Sequence, residues 1–306
     1  MFSAITSPSF PNAALGIDKN SISAVALQGS RRNLGIKQAA TVALADGVLE
    51  PGFLNTNITA PYEFALALRE VVEISGLLNQ KKWSISLPSN TARATILALD
   101  SEPASNTERD QILDWKAEQS FGAPAAELRI AMEKISPDKD GRVRYFATAV
   151  KLAVIDEFET HFESMGWKAG LIVPRAVGEA NWLMSGQSGL DSLLISSNND
   201  GFTALLLRGA EPMVVRSVTC SSDEIDDEVY RLVMFYNDRF GTAGTLDSVM
   251  VVGGEFAAAK VQSIASEALG RDIRVLTSDD VGLTLPGGGL DFNDLASPAG
   301  LAALSL

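Results

Sequence analysis

Apolar positions in this chain fall into short runs broken by small polar clusters, and between those runs into longer stretches with helical spacing. In 14–27 an apolar run, the cluster Asp18, Lys19, Asn20 and Ser21, and a second apolar run follow one another. The stretch 193–207 repeats this, with Ser196, Ser197, Asn198, Asn199, Asp200 and Gly201 at its centre. Each predicts strand, tight turn, strand, because Asn and Gly adopt the backbone angles such turns need. Each is followed by further strand pattern, at 37–44 and 213–218, and then by a helical pattern. Two openings of this kind predict a duplicated α/β architecture with its ligand between the halves.

The remaining pattern is read the same way. Residues 1–12, with Pro8 and Pro11, predict a loose arm, and 47–60, with Pro51 and Gly52, a loop. Pro61 opens a helix whose apolar face is Phe64, Leu68, Val71, Val72 and Leu78, ending near Gly76. The run 83–88 alternates as a strand and stops at Pro88. An inserted unit follows: a strand over 91–99, a helix through Ile112, Trp115 and Phe121 opened by the capping box Ser105 to Glu108, and strands over 127–135 and 143–150. Val154, Ile155, Phe158, Phe162 and Met165 share one helical face, which Gly166 ends. A strand over 169–173 and a helix over 174–184 lead into the second half. There a second capping-box match, Ser221 to Glu224, precedes an apolar stripe of Ile225, Val229, Leu232, Val233 and Tyr236. A buried strand over 246–252 runs into Gly253 and Gly254 and a helix over 255–269, then a last strand over 273–276. The glycine-rich 284–293 predicts a flexible connection, and 298–304 a terminal helix packed on the first half.

Composition narrows the function. With 306 residues, 46% apolar and 21% charged, the chain is long enough for two packed units. A net charge of -13 opposes non-specific binding to nucleic acid or anionic lipid. A single cysteine, Cys220, excludes intramolecular disulfides and cysteine metal clusters. No stretch of ~18 apolar residues predicts a membrane span. The opening residues lack a basic start and a long apolar core, which reads as no signal peptide, and the expected home is the cytoplasm.

Few residues invite chemistry. Asp18 stands in a turn where a carboxylate could hold a metal-bound water under a phosphate, or could simply cap the turn. Gly253 and Gly254 let backbone N–H groups approach a ligand, or serve a tight strand-to-helix turn. His161, the one histidine, reads as a core-edge residue, and Cys220 as a small packed one. The acidic run 223–228 complements a helix N-terminus. No Walker A pattern, zinc spacing or nucleophile elbow is present.

The order of these segments resembles the actin-like fold, and within it the PilM type of type IV pilus assembly protein, with the cell-division relative FtsA more distant. The resemblance rests on Gly16-Ile17-Asp18, Leu87-Pro88 before the insertion, 147–150 with the helix to Gly166-Trp167, 228–236, Val251 to Phe256 and 298–302. It implies a two-lobed, ribonuclease H-like duplicated α/β fold with a small inserted α+β subdomain. The first lobe would span 13–174, with the insertion at about 90–150 and the terminal helix 298–306, and the second 175–297. The resemblance places a nucleotide site at Asp18, Asn20, Ser21, Ser196, Asn198, Gly253 and Gly254. Asn20 stands where the family carries glycine, and Ser196 and Asn198 where it carries Asp and Gly. The site therefore reads as degenerate, with ATP and Mg bound weakly or not at all, no separate metal site and no catalytic residue. The implied partner is the cytoplasmic N-terminal tail of a single-span, PilN-like inner-membrane protein, gripped near Leu87, Arg93, Ile112 and Trp115. The expected setting is the cytoplasmic face of the inner membrane, reached through partners without direct insertion. An active ATPase or kinase of the superfamily, and the cytoplasmic domain of a type II secretion platform protein, remain as alternatives.

Overall fold

The computed structural model describes residues 10–30, 33–100, 103–184, 190–198, 200–241, 245–254, 256–286 and 289–306. The arm up to residue 9, the turn residue Asn199, the expected helix start Glu255 and Gly287–Gly288 lie outside them.

The strands are β1 (Ala13–Ile17), β2 (Ser21–Ser30), β3 (Asn33–Ala43), β4 (Lys82–Leu87), β5 (Arg93–Ala98), β6 (Leu128–Ile135), β7 (Arg144–Lys151), β8 (Lys168–Pro174), β9 (Leu190–Asn198), β10 (Gly201–Arg208), β11 (Glu211–Thr219), β12 (Thr245–Val252), β13 (Arg274–Val275) and β14 (Leu283–Thr284). The helices are α1 (Pro61–Ile74), α2 (Asn106–Phe121), α3 (Leu152–Ser164), α4 (Arg175–Ala180), α5 (Ile225–Phe240), α6 (Ala258–Leu269) and α7 (Phe292–Ala302). Among the described residues no helix is long and apolar enough to cross a membrane.

Two sheets carry one topology. The first runs β14-β3-β2-β1-β4-β8 and the second β11-β10-β9-β12-β13. In each, an antiparallel three-strand meander is continued by two parallel strands: β1 pairs with β4 and β4 with β8, as β9 pairs with β12 and β12 with β13. Both meanders therefore place their first turn at the same end of their sheet, where the parallel strands also end. A third sheet, β5-β7-β6, with α2 forms the inserted unit.

Helices cover these sheets because their apolar faces match. On α1, Phe64, Leu68, Val71 and Val72 are buried, joining Val154, Ile155, Phe158 and Phe162 of α3 against one face of the first sheet. Burying each such side chain is worth roughly 1.5–3 kcal/mol. Leu78 is 60% exposed, because the helix stops before it and Leu77 takes the inward position. The other face of the first sheet meets α4 and α7, while α5 and α6 cover the second sheet.

Local signals held at some ends and moved at others. Ser105 caps α2 by accepting the Glu108 N–H, but the Glu108 carboxylate takes the N–H of Ala104, one residue before the reciprocal position. Ser221 donates N–H and O–H to Glu224, and α5 starts just after that turn. α4 ends at Ala180, short of the expected 184, and α6 begins at Ala258, leaving Gly254 outside any helix. Thr284, expected to open a flexible connection in the second half, instead forms a strand with Leu283 that pairs in parallel with Leu34 and Gly35 of the first sheet, with Leu283 fully buried. A two-residue strand is too short to show a periodicity. α7 starts at Phe292, capped by the Asp291 carboxylate, which accepts the Asn293 N–H, so Pro298 lies inside the helix instead of opening it. A Cβ on Gly16 would stand 2.8 Å from Pro298 Cδ, so glycine in β1 is what lets α7 lie against the sheet.

Candidate functional site

The two first turns face each other across a cleft of about 360 Å³. Asp18, Asn20 and Ser21 line it from the β1–β2 turn, Asn198 from the β9–β10 turn, and Gly253 and Gly254 from the end of β12. Six of the seven residues expected at a nucleotide site are thus brought together over a separation the sequence alone does not span. Ser196 is the exception: its buried hydroxyl is unpartnered and away from the cleft, while its neighbour Ser197, equally buried at 1% exposed, lines the cleft wall. Successive strand residues face opposite sides, so an offset of one moves the residue out of the site.

Asn20 and Asn198 sit in these turns without left-handed backbone angles. Asp18 N–H donates to Ser21 C=O at 2.9 Å, and Asn20 C=O accepts from Leu44 N–H at 2.8 Å. Asn198 Oδ1 accepts the Asp200 N–H at 2.9 Å, an Asx turn. Among the described residues the one non-glycine with positive φ is Asn90, at 68°, whose amide donates across the cleft to Asp200 Oδ2 at 3.0 Å.

The side chain that sequence reading missed is Arg175, at the first position of α4 and 8% exposed. Its Nη1 donates to Asp18 Oδ2, its Nε to Glu179 Oε1 at 2.7 Å, and its Nη2 to the Asn293 carbonyl at 3.2 Å. Glu179 is fully buried. The i,i+4 pair Arg175–Glu179 was a visible helix signal; its reach to Asp18, 157 residues away, was not.

Asp18, the group expected to hold a metal-bound water, is therefore already paired with a cation. The other cation lining the cleft, Lys19, pairs with Glu50 at 3.2 Å. Asp200 and Asp294 add further negative charge. Burial, then the neighbouring Asp291, pushes the Asp294 carboxyl above its ordinary value, against the pull of Arg175. Carboxylates thus outnumber cations along the cleft.

The glycine pair is explained locally in part. Gly253 has φ of 104°, and a Cβ there would overlap Ser197 Oγ and stand 2.7 Å from the Ser197 carbonyl oxygen. Its N–H donates to Asn293 Oδ1 at 3.0 Å. Around Gly254 there is open space.

The four residues expected at a partner surface are placed apart. Leu87, 1% exposed, lines the floor of a groove of about 240 Å³ between β8, α3 and the inserted strands β6 and β7. Ala92, Ala131, Val150, Ile155 and Leu171 make its walls, and Arg129 paired with Glu159 (2.5 and 2.9 Å) its rim. Arg93 turns away, donating to the Phe121 carbonyl at 2.6 Å and stacking 4.3 Å above the Phe53 ring, in a wider opening towards β11. Ile112 packs on the core of the inserted unit, and Trp115 is 59% exposed on the outside of α2.

Two meander-plus-parallel sheets, a ligand-sized cleft between their first turns and a subdomain inserted after β4 define a two-lobed actin-like α/β protein. No family model and no curated protein matches the sequence. Solved structures do. A chain of a PilM–PilN type IV pilus biogenesis complex superposes with a TM-score of 0.73 at 14% identity, over 98% of each chain. The cytoplasmic domain of EpsL, an inner-membrane component of the Vibrio cholerae type II secretion system, gives 0.49 at 10% identity, over 96% of this chain and 93% of that one. The ethanolamine utilization protein EutJ of Carboxydothermus hydrogenoformans gives 0.47 at 10%, over 97% and 91%. The last two are too distant to carry weight. The fold is PilM-like.

Proposed function

We propose that this chain is a cytoplasmic scaffold in the inner-membrane platform of a type IV pilus or a related secretion machine. It grips the cytoplasmic tail of a PilN-like single-span membrane protein and sits at the inner membrane through that partner. The observation that carries this reading is the superposition on the PilM–PilN complex chain over 98% of both chains. The apolar groove between β8 and the inserted strands supports it, since an apolar floor with one ion pair at the rim suits an extended peptide with alternating apolar side chains.

On this reading the interlobe cleft is a degenerate nucleotide site and the chain is not an enzyme. Supporting that are Asp18 held by Arg175, the asparagines at the turns and the excess of carboxylates. Losing several charge-assisted contacts at ~1.5–3 kcal/mol each weakens affinity by orders of magnitude. Calorimetry with Mg-ATP should give no micromolar binding, and an ATPase assay no turnover above buffer.

The scaffold reading is tested with synthetic tail peptides of single-span membrane proteins encoded beside this chain. Binding should be lost in Ala131→Phe, which fills the groove, and weakened in Arg129→Ala, while Trp115→Ala leaves it unchanged. Binding that survives Ala131→Phe in a folded protein refutes the groove.

A further inference from the structure

The contacts of Arg175 form more than a local ion pair. A pair serving only α4 would end at Glu179, one turn along the same helix. Arg175 goes on to Asp18 in the β1–β2 turn and to the carbonyl of Asn293 at the start of α7. Asn293 then continues the path, its side-chain oxygen accepting the N–H of Gly253 at the end of β12. The relay Asp18–Arg175–Asn293–Gly253 thus crosses from the first turn of one lobe to the glycine turn of the other, along the wall of the cleft.

We propose that Arg175 is the resident cation of this cleft, and that the relay it anchors holds the two lobes together where a metal-bound nucleotide would otherwise bridge them. The inference rests on the cleft being a degenerate nucleotide site, and extends it: the chain supplies its own bridge, so lobe closure needs no ligand. Three features agree. Arg175 is 8% exposed, so its charge is satisfied inside the protein and not by solvent. Its partner Glu179 is fully buried, which fixes it in place. Two further polar bridges join the halves elsewhere. Asn90 donates to Asp200 at 3.0 Å. Glu211, the first residue of β11, accepts from Ser136 N–H and Oγ at 2.5 Å each, with Arg144 at 3.5 Å. A ligand able to shift such a molecule must bind an open state better than a closed one by the free energy of all these bridges.

The test measures lobe separation directly. Spin labels on Glu73→Cys in α1 and Asp238→Cys in α5, in a Cys220→Ser background, report the interlobe distance by double electron–electron resonance. The unliganded protein should give one narrow distribution that saturating Mg-ATP leaves unchanged. Asn293→Ala, which cuts the relay without stranding a buried charge, should broaden it. Hydrogen exchange should then show the Gly253 amide opening about tenfold faster, the equivalent of one lost hydrogen bond. Arg175→Met should broaden the distribution as well; where it does not fold, because Glu179 is left unpaired, Arg175→Met with Glu179→Gln replaces it. A broad distribution that narrows on adding Mg-ATP overturns the proposal, and so does an Asn293→Ala protein indistinguishable from the parent in both measurements. No peptide enters this experiment. A chain that binds no membrane-protein tail but keeps a ligand-independent narrow distribution refutes the scaffold and leaves the relay standing.

Discussion

Alanine substitution at the two adjacent glycines should separate packing from ligand approach as the reason for them. At Gly253 the backbone has φ of 104°, and an added Cβ overlaps Ser197 Oγ and lies 2.7 Å from the Ser197 carbonyl. An L-residue in the left-handed region costs roughly 1–2 kcal/mol. Forcing a methyl into a filled space costs typically ~1–3 kcal/mol more. Gly253→Ala should therefore destabilise by about 2–5 kcal/mol. Gly254 has open space around it and no positive φ, so Gly254→Ala should stay within about 0.5 kcal/mol of the parent. Urea unfolding of both variants reads this as a fall in midpoint at constant slope for Gly253→Ala alone. Adding Ser197→Ala to Gly253→Ala should recover part of the loss, because the hydroxyl overlap goes and the carbonyl contact stays. The reasoning fails if Gly253→Ala is as stable as the parent, or if Gly254→Ala is equally damaging.

Three further outcomes follow from the same contacts. Asp191 is fully buried, takes both Nε and Nη2 of Arg208 at 2.8 Å and the Tyr236 hydroxyl at 2.9 Å; Asp191→Ala should cost ~3–5 kcal/mol in urea unfolding. Tyr236→Phe removes one hydrogen bond to that carboxylate, leaves Arg208 in place, and should cost ~1.5–3 kcal/mol by the same assay. His161 lies edge-on to Phe64, and burial lowers its pKa below the usual 6.5. The unfolded chain then binds the proton more readily. This contribution to stability is present in full above about pH 6.5 and is lost as pH falls from there through the folded-state value. Melting temperatures of His161→Gln between pH 8 and 5 should fall less steeply than those of the parent.

Much of the fold was legible because it is decided by near neighbours. The 14–27 and 193–207 patterns are the β1–β2 and β9–β10 hairpins, Pro61 does open α1, and Ser105 does cap α2. Alternation, capping and turn chemistry act over a few residues, so the order of the chain contains them. Six of the seven residues expected at the cleft line it, because turns at the ends of β1 and β9 and the glycines after β12 fall together once the sheets form. Other features depended on which distant surfaces meet. Ser197 lines the cleft and Ser196 does not, though both are buried, a distinction of one residue set by the register of β9 against β10 and β12. Leu283–Thr284 is a strand because Leu34 and Gly35 stand open beside it, and Pro298 sits inside α7 because Gly16 leaves room for it. Leu87 and Arg93, close in sequence, end on different surfaces once the inserted sheet turns between them. Arg175 shows the limit most plainly: its local sequence announces only a helix ion pair with Glu179. That its charge would also meet Asp18 was decided by tertiary packing, which brings together side chains 157 positions apart that no local preference couples.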